Sequence, residues 1–196
     1  MYAYIDGVLV EKNPTFVVMD CQGIGYVLHV SLNTYSKLQQ EQQRCRLFTH
    51  LQVKEDAHTL YGFFSQEERE LFRMLISVSG VGASTAQMML SAMNPSEIIS
   101  HIANGNAAAL QAIKGIGGKT AQRILIELRD KVTKTDFTAT QFEQTNNSNV
   151  RNEALGALVL LGFSKQNAEK AVDKIIKSSN GDISVENLIK ESLKIL

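Results

Sequence analysis

The residues best placed to do chemistry are glycines, and they come twice. Leu75 to Leu90 reads LISVSGVGASTAQMML, and Leu110 to Leu125 reads LQAIKGIGGKTAQRIL. At a constant offset of 35 positions the pairs Leu75/Leu110, Gly80/Gly115, Gly82/Gly117, Thr85/Thr120, Ala86/Ala121, Gln87/Gln122 and Leu90/Leu125 are identical, an internal duplication. Val78/Ile113 and Val81/Ile116 are conservative matches. Each copy reads as an apolar helix, a Gly-aliphatic-Gly turn and a second helix. Glycine at both turn positions permits backbone angles that side chains forbid, and it lets an anion approach the backbone. The turn opens a helix, whose first N–H groups lack intrahelical partners and sit at the positive dipole end. That arrangement is a phosphate seat. Val81 and Ile116 are expected to tuck inward and brace the turns, and the small Ala86 and Ala121 to let paired helices approach. Two equivalent seats in one chain suit a duplex backbone.

Other chemistries fit less well. Gly118-Lys119-Thr120 ends like a nucleotide-binding P-loop, but that motif needs glycine at position 113, which is Ile, and a preceding strand where AAALQAI reads as helix. His29, His50, His58 and His101 are scattered without metal-ligand spacing. Cys21 and Cys45 are too few for a disulfide scaffold or a four-ligand zinc site, and are expected as reduced, semi-buried thiols. No Ser-His-Asp order and no catalytic carboxylate pair emerges. The expectation is a chain without catalysis, cofactor or metal.

The elements that must position these turns follow from composition and period. The chain has 196 residues, 44% of them hydrophobic, with 20 basic and 20 acidic groups that cancel. A polybasic arm or acidic tail is thereby excluded, whereas nucleic-acid binding through local charge is not. Residues 1–64 concentrate β-branched and aromatic side chains in five runs, 2–10, 14–20, 24–30, 45–53 and 58–64. Asn13-Pro14, the stretch Asp20 to Gly25 and a loop at Glu55-Asp56 separate them, and Gln-rich 36–43 is a candidate short helix. Five short strands in this length suggest a small closed barrel of the OB type. From Ser65 the period changes to that of a helix. Ser65-Gln66-Glu67-Glu68 reads as a capping box, and Asn94-Pro95-Ser96-Glu97 as a second helix start. Residues 65–131 are expected to be all-helical. Residues 132–150, rich in Thr, Gln and Asn, read as a flexible linker. Residues 151–196 read as a three-helix module, with starts near 151, at Ser164 and near Ser184 and a break at Asn180-Gly181. The fold class is α+β and multidomain. The amino terminus, MYAYIDGVLV, has neither a basic region nor a long apolar stretch, and no run of 18 apolar residues occurs, so no signal peptide, anchor or membrane span is expected.

The paired turns resemble helix-hairpin-helix motifs, which grip DNA backbone without reading sequence. The order barrel, two hairpins, linker and three-helix tail resembles the RuvA family of Holliday-junction-binding proteins over the whole chain. The stretches FTHLQVKEDAHTLYGF at 48–63, SGVG at 79–82 and GIGGKTAQRIL at 115–125 carry the resemblance, with IDG at 5–7 and Gly23-Ile24-Gly25-Tyr26. It implies a bacterial, cytoplasmic protein of DNA recombination and repair that binds four-way junctions as a homotetramer, or as an octamer of two tetramers. It also implies that hairpin amides at Gly80, Val81, Gly82, Gly115, Ile116 and Gly117 hold phosphates, assisted by Ser84, Lys119, Thr120 and Arg123. Members of this family usually carry two lysines after the second hairpin glycine and often a basic residue at the first; here Gly118 and Ser84 stand in those places. Fewer charge-assisted contacts should weaken binding or shift it to backbone amides. By the same resemblance Glu55 and Asp56 form an acidic pin at the tetramer centre. Leu161, Gly162 and Phe163 lie in a module that docks on RuvB, the hexameric ATP-driven motor, with RuvC resolvase as a further partner. Leu161 and Phe163 are the exposed apolar candidates for that docking.

Two other functions compete. A hairpin-containing glycosylase or nuclease would need a catalytic Lys or Asp beside the second hairpin, which the sequence does not display. A general OB-fold single-strand binder would need aromatics projecting from the barrel face; a general OB-fold and helix-hairpin-helix DNA-binding protein without motor coupling is the remaining alternative.

Overall fold

The computed structural model describes residues 2–134, 146–178 and 183–196. The chain divides into two compact units, 1–139 and 140–196.

The first unit opens with strands β1 (Tyr4–Lys12), β2 (Phe16–Cys21), β3 (Ile24–Val30), β4 (Arg44–Val53) and β5 (His58–Phe63). They close into a barrel in the order β1-β2-β3-β5-β4, antiparallel except for the β3–β5 pair. Alternation along each strand sends Ile5, Leu9, Val17, Met19, Leu28, Val30 and Leu47 inward, where they form the barrel core. Gly62 is glycine because the wall is crowded there: a Cβ would stand 3.1 Å from Leu28 Cδ2 and 3.2 Å from Leu47 Cδ1. The helix between β3 and β4, α1 (Leu32–Lys37), comes earlier than the Gln-rich 36–43 that composition suggested. Ser31 decides it. Its hydroxyl accepts the Thr34 N–H at 3.0 Å and starts the helix there.

The helical part comprises α2 (Gln66–Ile76), α3 (Ala83–Ala92), α4 (Pro95–Ala103), α5 (Ala107–Gln111) and α6 (Gly118–Lys134). One apolar core runs through them, from Phe72, Leu75 and Val78 to Leu125, Leu128 and Val132, and takes in Phe63 from the barrel. Phe63 and Phe72 rings lie 4.9 Å apart. Polar clasps fix helices to barrel. Glu68 on α2 is fully buried and accepts from the Ser31 hydroxyl at 2.5 Å and the Thr34 hydroxyl at 2.7 Å. Arg69 donates to the Ala3 carbonyl at 2.9 Å and lies over the Phe48 ring. Bonds to a buried charged group are worth about 1.5–3 kcal/mol each, so these fix the hairpins relative to the barrel. They also correct the expected capping box. Ser65 does accept the Glu68 N–H, at 3.2 Å, but the Glu68 carboxylate goes to the barrel rather than back to Ser65. The box at Asn94 and Glu97 is complete, with Pro95 at the first helical position.

The second unit contains α7 (Asn146–Leu160), α8 (Lys165–Ser178) and α9 (Val185–Leu193) around Ala154, Leu158, Ala168, Val172 and Leu188. Arg151 grips Asp173 with two bonds of 2.7 and 3.1 Å. Ser184 caps α9, and the Ser164 hydroxyl accepts the Asn167 N–H at the start of α8. The segment expected as a linker, 132–150, is helical at both ends: α6 continues to Lys134 because Val132 is buried in the hairpin core, and α7 begins at Asn146. Its middle, 135–145, and the expected break at Asn180-Gly181 lie outside the described residues.

Candidate nucleic-acid interface

The sequence duplication is also a duplication of backbone hydrogen bonds. In the first copy Val78 N–H donates to Leu75 C=O at 3.1 Å, Val81 to Val78 at 3.0 Å and Ala86 to Gly82 at 2.9 Å. In the second, Ile113 donates to Leu110 at 3.2 Å, Ile116 to Ile113 at 3.1 Å and Ala121 to Gly117 at 3.0 Å. Gly80 and Gly115 both have φ of 90°. In each turn the glycines are exposed while Val81 and Ile116 are buried, and Ala86 and Ala121 are fully buried between helices. The bracing and close approach expected from sequence are therefore present.

One expectation needs correcting. Only the first glycine of each turn has a backbone conformation that side chains resist. Gly82 is extended, at φ −85°, and Gly117 has no positive φ. A Cβ at Gly82 or Gly117 would meet nothing within 4 Å. What the second glycine supplies is open space over the helix start.

The open space matters because these starts are uncapped. α2, α4, α5 and α9 each receive a side-chain bond from Ser65, Asn94, Asn106 or Ser184. α3, by contrast, begins at Gly82 with no side-chain cap, and Gly117 before α6 has no side chain to offer. The first amides of α3 and α6 thus take no bond from a side chain at the preceding glycine and sit at positive dipole ends, which favour an anion. Ser84 and Lys119 are exposed at equivalent places in the first turns, and Thr120 is half-buried. Arg123 lies elsewhere than a simple phosphate role predicts. Its guanidinium donates to the Ser79 carbonyl at 3.4 Å and reaches within 3.8 Å of where a Gly80 Cβ would stand. It links the second hairpin to the turn of the first, with donors to spare. Lys114, exposed just before Gly115, was not singled out from sequence; its place at the turn entrance is the signal that would have found it. A Cβ at Gly118 would meet only the Gln111 side chain, at 3.8 Å, so a side chain would fit there.

Glu55 and Asp56 are exposed at the tip joining β4 to β5, closed by Lys54 N–H donating to Ala57 C=O at 2.9 Å. No ion pair forms with either among the described residues.

The second unit places its own candidates differently from expectation. Leu161 is 61% exposed, but Phe163 is half-buried against the three-helix core. The cause is the helix end. Gly162, at φ 100°, lets Phe163 N–H donate to Leu158 C=O at 3.2 Å while Gly162 N–H donates to Val159 C=O at 3.0 Å. This closure folds the following apolar residue back on the helix. Leu160, 90% exposed, takes its place beside Leu161.

The family model described as RuvA N terminal domain matches residues 1–62, that described as SAM-like Helix-hairpin-helix tandem matches 72–130, and that described as RuvA, C-terminal domain matches 149–196. Together they follow the barrel, the paired hairpins and the second unit. Similarity to individual proteins extends over the whole length. The chain is 50% identical to the Holliday junction branch migration complex subunit RuvA of Christiangramia forsetii, covering 100% of both chains. The chain belongs to the RuvA family. The subunits of the same name from Flavobacterium psychrophilum, 49% identical, and Cytophaga hutchinsonii, 47% identical, are also covered completely. Among the described residues no helix is long and apolar enough to cross a membrane.

Proposed function

We propose that the chain binds four-way DNA junctions by structure rather than sequence and couples them to an ATP-driven motor, RuvB, for branch migration. It is the non-catalytic subunit of that machine. The observation that carries this reading is the pair of equivalent, uncapped Gly-x-Gly turns within one hydrophobic core, linked by Arg123. Backbone amides of residues 80–82 and 115–117, with Ser84, Lys119, Thr120 and Arg123, meet phosphates, which are the same at every base pair. Glu55 and Asp56 act as a pin where four copies of the barrel meet around a junction. The cytoplasm follows from that DNA substrate. Leu160, Leu161 and Gly162 present the motor-docking surface, with Phe163 supporting it from beneath. RuvC would meet the same junction, and one tetramer or two would hold it. Gel-shift titration of a four-way junction against linear duplex of the same arms, at one salt concentration, tests the reading. Tighter binding to the junction, unchanged when arm sequences are scrambled, is expected. Equal affinity for both, or a strong base preference, would overturn it.

A further inference from the structure

A row of three inward-facing positions crosses one end of the barrel. Gly7 on β1 lies opposite Cys45 on β4. On its other side Cys21 ends β2, one residue beyond the Val8–Asp20 pair. Both thiols are free, half-buried and packed against the barrel core. The glycine lets them converge. A Cβ at Gly7 would stand 2.7 Å from Cys21 Sγ and 2.3 Å from the Asp20 carbonyl oxygen. The Cys21 thiol therefore fills the space over Gly7, donating to the Asp6 carbonyl at 3.4 Å. That puts Cys21 Sγ over the residue paired with Cys45, on the same inner face of the barrel and one strand from it. The backbones are further apart. In a closed five-stranded barrel next-nearest strands stand ~8 Å apart, so the Cys21 and Cys45 Cα atoms lie beyond the ~7 Å that a disulfide tolerates without backbone movement. The two thiols share one inner face and cannot join without backbone movement.

We propose that Cys21 and Cys45 form a two-sulfur site for a soft monovalent cation, Cu(I) or Ag(I), at the barrel mouth. Two metal–sulfur bonds of about 2.3 Å in line span ~4.6 Å, close to the ~5 Å spacing of the neighbouring strands that carry Gly7 and Cys45. Among the described residues no group of three or more His, Cys, Asp or Glu is placed to hold a metal. A tetrahedral zinc set is therefore not assembled here, and an ion content with two sulfurs is the one that fits. On binding, each thiol releases its proton to water and two sulfur–metal bonds form, leaving a bis-thiolate complex of charge −1. Burial raises both thiols above the ordinary range, with Asp20 and Asp6 adding to it at Cys21, and Asp6 and Cys21 adding to it at Cys45. Arg44, exposed and paired with Asp6, opposes this at Cys21.

The test uses the reduced full-length protein without oxygen. Cu(I) is supplied from a bathocuproine disulfonate buffer and retention is read by native mass spectrometry. One ion per chain is expected, with Cys21→Ala and Cys45→Ala each weakening retention at least tenfold. Dibromobimane, which fluoresces only after bridging two thiols, gives a readout that needs neither metal nor variant. The wild-type chain should become fluorescent within itself. The proposal is overturned if the wild type retains no Cu(I), if either single variant holds it as tightly, or if bimane fails to bridge the pair.

Discussion

Gly115 and Gly117 stand two residues apart, yet the structure assigns them separate roles, and substitution should separate them. Gly115 sits at φ 90°, so Gly115→Val forces a β-branched side chain into a conformation costing about 1–3 kcal/mol. Its thermal midpoint should fall. Gly117 has open space around it, so Gly117→Val should leave the midpoint nearly unchanged and still weaken junction binding at least tenfold by covering the amides. Lys119→Ala removes one ion pair and should lower the log–log salt slope by about 0.9, a smaller loss than Gly117→Val. Normal binding by a folded Gly117→Val protein would show that phosphates sit elsewhere. A different residue governs acid stability. His50 is half-buried against Phe72, at 5.4 Å between ring centres, and its pKa is lowered by burial first and then by Arg73 and Arg69. The unfolded chain therefore binds this proton more readily than the folded one. The stability it supports is present above the ordinary value near 6.5 and is lost as pH falls below it toward the depressed folded value. Denaturant titrations between pH 7.5 and 5 should show a shallower loss for His50→Gln than for wild type. Equal slopes would remove His50 from the account.

At the scale of elements, the two units should part with their activities. The cut must respect α6, which runs to Lys134 with Val132 buried in the hairpin core. A chain ending at 131 would remove that contact, whereas one ending at 139 keeps the first unit whole. Residues 1–139 should retain junction affinity within about twofold and lose motor-driven branch migration; retained motor stimulation would place docking outside the second unit. The same elements show what the sequence made legible. Strand runs, the period change at Ser65, the duplicated turns and the Asn94 capping box are local patterns, and local patterns were readable. The role of Glu68 is not legible locally because its partners, Ser31 and Thr34, lie more than 30 residues away, and its distant bonds outcompete the local one. The burial of Phe163 is not legible in the sequence because it depends on the closure at Gly162, a three-dimensional property of the helix end. The ends of 132–150 carry little helical propensity, yet α6 reaches Lys134 with Val132 packed in the hairpin core and α7 begins at Asn146 with Val150 packed on the second-unit core.

At the scale of the whole assembly, the acidic tip should govern selectivity more than affinity. Each chain exposes two carboxylates, Glu55 and Asp56, at the β4–β5 tip, so a four-fold arrangement of the proposed kind gathers eight near its axis. Phosphates also converge at a junction crossover. Like charges at about 4 Å repel by roughly 1 kcal/mol even in bulk water, and by more near a protein surface. A continuous duplex laid across the centre would bring its phosphates onto the pin, whereas strands turning away into separate arms avoid it. The repulsion therefore penalises duplex more than junction, at the expense of overall affinity. Replacing Glu55 with Gln and Asp56 with Asn removes the charge and keeps the shape. The exposed tip makes no ion pair among the described residues, so the fold should be indifferent to the exchange. The double variant should bind linear duplex several-fold more tightly, show a smaller junction-to-duplex ratio and migrate branches at an altered rate. The difference should be largest at low salt, because the Debye length shrinks from about 30 Å at 0.01 M to about 8 Å at 0.15 M. Paired titrations of wild type and variant against junction and duplex at two salt concentrations give that ratio directly. If it does not move at either concentration, Glu55 and Asp56 are a solvated hairpin tip and junction selectivity must come from the geometry of the hairpins alone.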